Sequence, residues 1–170
     1  MFDEPKQKLM EYCIENLNAL VKVAEEENVI LLLGTVMGMD SPCNASTPIV
    51  LTVNEVAEII EQIGNSYLAA YADTQVLSIR GESLTDWFDR LGEKVRLVRF
   101  TDGNYNGYRI WGKGVLPAEK LAEEIYRTGF NGLISFQIPG ERYCENPKDA
   151  QKQNHFRALS AWREVMDCQR

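Results

Sequence analysis

The chain holds one histidine, His155, in 170 residues. That scarcity removes most imidazole chemistry. A zinc centre of histidine and cysteine lacks its nitrogen ligands. Neither a Ser-His-Asp nor a Cys-His arrangement can be assembled from one imidazole on the last predicted helix, where it reads as a surface residue. The four cysteines, Cys13, Cys43, Cys144 and Cys168, lie far apart with no C-x-x-C pair, and read as free thiols of a reducing cytoplasm. Positive charge is also short. Eighteen Lys and Arg against 25 Asp and Glu leave a net charge of −7, which argues against nucleic acid or an anionic membrane as partner. No apolar run reaches the roughly 18 residues of a membrane span, and the charged opening "MFDEPKQKL" lacks the apolar core of a signal peptide. There is no Walker A loop, no G-x-G-x-x-G and no low-complexity segment. Gly112-Lys113-Gly114 is too short for a nucleotide motif and reads as a loop needing positive φ.

What is present is an ordinary globular composition, 45% apolar and 25% charged, which excludes disorder. The length suits one domain, residues 1–170, with its own core. Helical spacing over 4–26 puts Leu9, Cys13, Leu17 and Leu20 on one face, with Val21 and Ala24 beside them. "VILLL" (29–33) is an apolar run of the kind found in strands covered on both faces. A polar loop spans 38–48; its Asn44-Ala45-Ser46 matches a glycosylation acceptor, which carries weight only in a secreted chain. Thr52 and Glu55 form a capping box that opens a helix burying Val56, Ile59, Ile60 and Ile63 and ending at Gly64. "YLAAYAD" (67–73) is the second strand. Ser83 caps a helix that buries Leu84, Trp87, Phe88 and Leu91. "VRLVRFTD" (95–102) is the third strand, with Arg99 on the face of Leu97 because alternate residues share a side. Pro117 fits a first helical position before Leu121 and Ile125. "LISFQI" (133–138) is the fourth strand, and a helix from about residue 150 buries Phe156, Leu159, Trp162 and Val165.

The pattern is α-(βα)4 with parallel strands. It suits either a small doubly wound sheet or part of a (β/α)8 barrel, which in full needs about 250 residues. In both, chemistry gathers at the C-terminal ends of the strands. Here those ends carry Gly34 and Thr35, Asp73 to Gln75, Arg99 to Asp102, and Gln137.

Several stretches in order resemble one family. "LTDWFDRLGEKVRLVRFTDGN", then "WGKGVLPAEKLAEEIYRTGFNGLISFQI", and a strand ending in Ala72-Asp73-Thr74, are similar to the C-terminal half of sugar isomerases and epimerases of the xylose isomerase-like barrel type, the ketose 3-epimerases in particular. The resemblance implies an α/β fold, the C-terminal half of a (β/α)8 TIM barrel with the first four βα units absent. In that family a divalent metal, commonly Mn2+ or Co2+, binds ketose oxygens at the strand ends. Glu, Asp, His and Glu ligate it, and the glutamates move the proton through an enediolate.

Laid on this chain, the first glutamate falls on Gly34, the aspartate on Asp73, the histidine on Arg99 and the last glutamate on Gln137. A substrate-contacting histidine falls on Val76 and a substrate-contacting arginine on Tyr105. The upstream histidine falls on Leu97, and the residue between the paired glycines is Lys113. One carboxylate and a neutral amide hold Mn2+ poorly, and a guanidinium has no lone pair to give. No metal and no other cofactor is therefore expected, with Mn2+ or another divalent ion implied only if the family's activity persists.

Two readings follow. In the first, Arg99 pairs with Asp73, and with Asp102, to fill the old metal site, and the protein is a non-catalytic, sugar-binding, regulatory or vestigial relative. In the second, it acts on a sugar, sugar phosphate or sugar acid, with Arg99 and Gln137 holding substrate, Asp73 as base, and Asp102, Tyr105 and Lys113 as further contacts. A half-barrel also leaves two sheet edges open, so the expected partner is a second copy or a separate N-terminal half-barrel chain, besides a small carbohydrate.

Overall fold

The computed structural model describes residues 6–35 and 50–168. The polar loop, with Cys43 and Asn44, lies outside them. Helix α1 (Lys6–Glu26) precedes β1 (Leu31–Leu33) and α2 (Val53–Ile63). Strand β2 (Leu68–Asp73) leads into α3 (Thr74–Arg80) and α4 (Leu84–Leu91). Then come β3 (Val95–Arg99), a hairpin of β4 (Asp102–Asn104) and β5 (Gly107–Arg109), α5 (Ala118–Arg127), β6 (Leu133–Ser135) and α6 (Pro147–Cys168).

The main sheet runs β1-β2-β3-β6, every neighbour parallel. That order decides between the two folds the sequence left open. A doubly wound sheet reverses direction at a switch point. Here each right-handed crossover advances the same way, so all helices pack on one face, as in a barrel wall. Leu68, Ala70, Ala72 and Val98 point to that helical face and are buried in the core. On the alternate, inward face Tyr71, Leu97 and Arg99 are half-buried and Leu133 is exposed, while Ala69 and Asp73 are buried. With four strands instead of eight, nothing in the described chain closes over the inner face.

The helix signals read from sequence hold. Glu55 N donates to Thr52 Oγ1 at 3.3 Å and Thr52 N to Glu55 Oε2 at 3.1 Å, and Gly64 closes α2 at φ +64°. Ser83 and Asp86 form the same reciprocal cap on α4. Glu82 ties the two helices together: its carboxylate accepts from Val53 N and from the Trp87 indole, both at 2.9 Å.

Other expectations need correction. Val29 and Ile30 are exposed, and only Leu31–Leu33 pair, because β1 is an edge strand with one neighbour. Leu20 is 55% exposed, so the buried stripe of α1 runs through Val21 and Ala24 instead. Pro117 is the N-cap of α5, one position before the first helical residue. Ladder pairing of the last strand stops at Ser135. Helix α6 starts at Pro147 and buries Ala150, Asn154, Ala158, Ala161 and Val165 while Phe156 is 69% exposed. Small residues on that stripe bring α6 close to α5, which a search for large apolar residues overlooks.

Candidate functional site

Asp73, the last residue of β2, caps α3. Its Oδ1 accepts from Gln75 N at 3.0 Å, from Val76 N at 3.3 Å and from Thr101 Oγ1 at 3.1 Å. Its Oδ2 accepts from the Tyr108 hydroxyl at 2.9 Å. Thr74 and Thr101 lock the strand ends behind it: Thr74 Oγ1 donates to Thr101 O at 2.7 Å and accepts from Thr101 N at 2.8 Å. Asp73 is only 2% exposed. Burial lifts its pKa above the ordinary carboxylate value, and the donors Tyr108 and Val76 N–H, the charge of Arg99 and the Thr101 hydroxyl only partly offset this. The Tyr108 phenol is pushed far up as well, first by burial and then by the neighbouring carboxylate.

Arg99 pairs with Asp73 across the parallel ladder, so their side chains share the inner face. Arg99 Nη1 stands 3.5 Å from Asp73 Oδ2, with the arginine side chain one third exposed. The guanidinium rests over the Tyr71 ring, 4.9 Å from its centroid. Tyr71 in turn lies against Gly34, where a Cβ would meet ring carbon Cε1 at 2.5 Å. A side chain at 34 and the Tyr71 ring cannot occupy the same space. Gly34, Tyr71 and Arg99 are therefore one packed set.

Among the described residues, none of the remaining candidates is hydrogen-bonded to Asp73 or Arg99. Asp102 is 1% exposed, and its carboxylate organises a loop instead of meeting Arg99. Oδ1 accepts from Gly103 N and Leu116 N, and Oδ2 from Gly112 N and Gly114 N. The paired glycines split in role: Gly112 needs its φ of +85°, whereas Gly114 is small because a Cβ would fall 2.1 Å from Asp102 Oδ1. Tyr105, at the hairpin tip, is 92% exposed, and Lys113 is exposed in the loop. Gln137 is half-buried just past β6, on the inner-facing alternation with Leu133 and Ser135. Among the described residues no hydrogen bond joins it to Asp73 or Arg99. His155 is exposed, edge-on to Phe136 at 5.9 Å, and Cys13, Cys144 and Cys168 are free thiols. No described helix is long and apolar enough to cross a membrane.

The sequence reading missed Tyr71, Tyr108, helix α3 and the hairpin, and gave Thr101 no role beyond its place at a strand end. Period-two alternation back from Asp73 would have put Tyr71 inward, and Asn106-Gly107 is a hairpin signal that brings Tyr108 back to β2.

The metal that the resemblance implies does not fit these residues. Of the two aspartates at the described strand ends, Asp102 is taken up by four backbone N–H groups, while both oxygens of Asp73 already accept hydrogen bonds and a fixed cation stands beside it. Among the described residues no group of three or more His, Cys, Asp or Glu converges.

Comparison with known proteins agrees with the fold. Fructoselysine 3-epimerase of Escherichia coli O157:H7 is 26% identical over 151 residues, which are 85% of this chain and 52% of that protein. The chain thus spans about half the length of the relatives it matches. Among solved structures, a D-tagatose 3-epimerase-like protein superposes with a TM-score of 0.77 at 15% identity, over 99% of this chain and 60% of that one. The IolI protein, solved with a bound zinc atom, gives 0.76 at 15%, over 96% and 59%. The sequence profile described as xylose isomerase-like TIM barrel matches residues 2–162, and with nearly the whole chain inside it, the chain belongs to the xylose isomerase-like TIM barrel family.

Proposed function

We propose that this chain is a non-catalytic member of its family, a carbohydrate-binding barrel wall that works without a metal. One observation carries the reading: the Asp73–Arg99 pair, seated on Tyr71, fills the place where the resemblance puts a metal and its ligands. A family member that epimerises by proton transfer on two faces of a ketose needs a carboxylate on each, and the positions concerned are Gly34 and Gln137. Elemental analysis of the purified protein, with ketoses incubated in deuterium oxide, tests the proposal. The expected result is no stoichiometric manganese, cobalt or zinc and no deuterium at the carbon beside the carbonyl. Stoichiometric metal overturns it.

A second reading is supported by the raised pKa of Asp73, the direction that suits a general base near neutrality. Here the protein isomerises a sugar, sugar phosphate or sugar acid held by Arg99 and Gln137. Deuterium uptake into any member of such a panel, lost in Asp73→Asn, establishes it. Both readings have the open edges β1 and β6 covered by a second copy or by a separate half-barrel chain. Both place the protein in the cytoplasm, a location supported by its unpaired thiols.

A further inference from the structure

The metal-free reading leaves the arginine itself to be explained, and on that reading the present inference rests. Arg99 is not used up by Asp73. Four uncharged donors already satisfy the Asp73 carboxylate, so its hydrogen bonding does not depend on the guanidinium. The Arg99–Asp73 separation of 3.5 Å exceeds the 2.7–2.9 Å of a charge-assisted hydrogen bond. The guanidinium is held over the Tyr71 ring at 4.9 Å, an arrangement that glycine at 34 makes room for. One third of the side chain is open on the inner face, at the strand ends where ligands of such folds bind.

A pre-oriented fork of N–H donors on an aromatic support, with a neutral amide two residues past the next strand, is the chemistry that recognises a planar or tetrahedral oxyanion. We infer that the site has been rebuilt from a cation site into an anion site. Arg99 binds the carboxylate or phosphate of a sugar-sized ligand, and Gln137 and the Tyr71 ring line the place for the rest of it. Selectivity comes from charge: a neutral ketose offers the guanidinium only hydroxyls, which bind it less strongly than an anion.

Isothermal titration of the whole chain at constant ionic strength tests this, with inorganic phosphate, gluconate and fructose as probes and Arg99→Gln and Arg99→Lys as variants. The wild type is expected to bind phosphate, gluconate or both, and to bind fructose at least about tenfold more weakly. Phosphate alone identifies a sugar phosphate, and gluconate alone a sugar acid. Arg99→Gln is expected to lower anion affinity by roughly tenfold or more, and Arg99→Lys to recover part of it as a point charge without the fork. Circular dichroism confirms that each variant folds. If Arg99→Gln does not fold, the lysine variant carries the test, and binding equal to wild type counts against the fork. No anion binding by the wild type, or equal binding by folded Arg99→Gln, overturns the inference. Bound metal in the purified protein overturns the reading beneath it, whereas metal-free protein that ignores all anions overturns only the anion site.

Discussion

Two buried aspartates, Asp73 at the end of β2 and Asp102 three residues past β3, illustrate how burial alone misleads about role. Asp102 is held by four backbone N–H groups. Asp102→Ala would strand those donors, and it is expected to lower unfolding stability by about 3 kcal/mol in urea titration, with a smaller loss in Asp102→Asn. Asp73 has the opposite electrostatic sign from a stabilising cap, because burial raises its pKa. The folded state then holds the proton more tightly than the unfolded state. Its carboxylate therefore contributes a penalty that is absent below the ordinary carboxylate pKa and fully present above the folded one. Thermal melts of wild type and Asp73→Asn from about pH 4 to about pH 8 should show the wild type losing stability relative to the variant as pH rises; a difference that stays flat or grows in favour of the wild type removes the claim. The inward placement of Arg99 and Asp73 was legible from alternation. The partners Thr101 and Tyr108 were not, because they reach Asp73 across 28 and 35 residues, and no local pattern carries such contacts.

Among the elements, α2 and α4 could be read almost to the residue, since capping boxes are local chemistry between positions three apart. Helix α3 was not, because the residue that caps it, Asp73, was read only as a strand end. Strand β1 was overextended because an all-apolar run says nothing about how many neighbours it has. The start of α2 is secured twice, by Thr52 and by Glu82 from the segment before α4. Thr52→Ala is expected to cost about 1 kcal/mol, the usual value of an N-cap. Glu82→Ala is expected to cost more, about 2 kcal/mol, because it unpairs both Val53 N–H and the indole of fully buried Trp87. Urea titrations rank the two; the reverse order would mean that α2 is held by its own cap and that the Glu82 bridge is incidental.

The whole molecule follows from strand order more than from any residue. Sequential parallel strands leave helices on one side, a bare inner face on the other, and edges at β1 and β6 whose backbone groups on the outer side have no strand partner among the described residues. Leu133, on the inner face of β6, is 71% exposed, and such an edge favours association. The sequence announced the alternation of strands and helices but could not say what covers the edges, because that depends on surfaces outside the described chain. A two-fold axis along the strands would set β6 of each copy beside β1 of the other, all parallel, and close eight strands. Produced by itself, the chain is therefore expected to run as a dimer or larger by light scattering. Leu133→Lys, which puts a charge on the joining face while touching little of the core, is expected to shift it toward monomer. A wild-type chain that stays monomeric at high concentration, with a cooperative melt, would show that this sheet tolerates its open edges and that no second copy is needed to cover them.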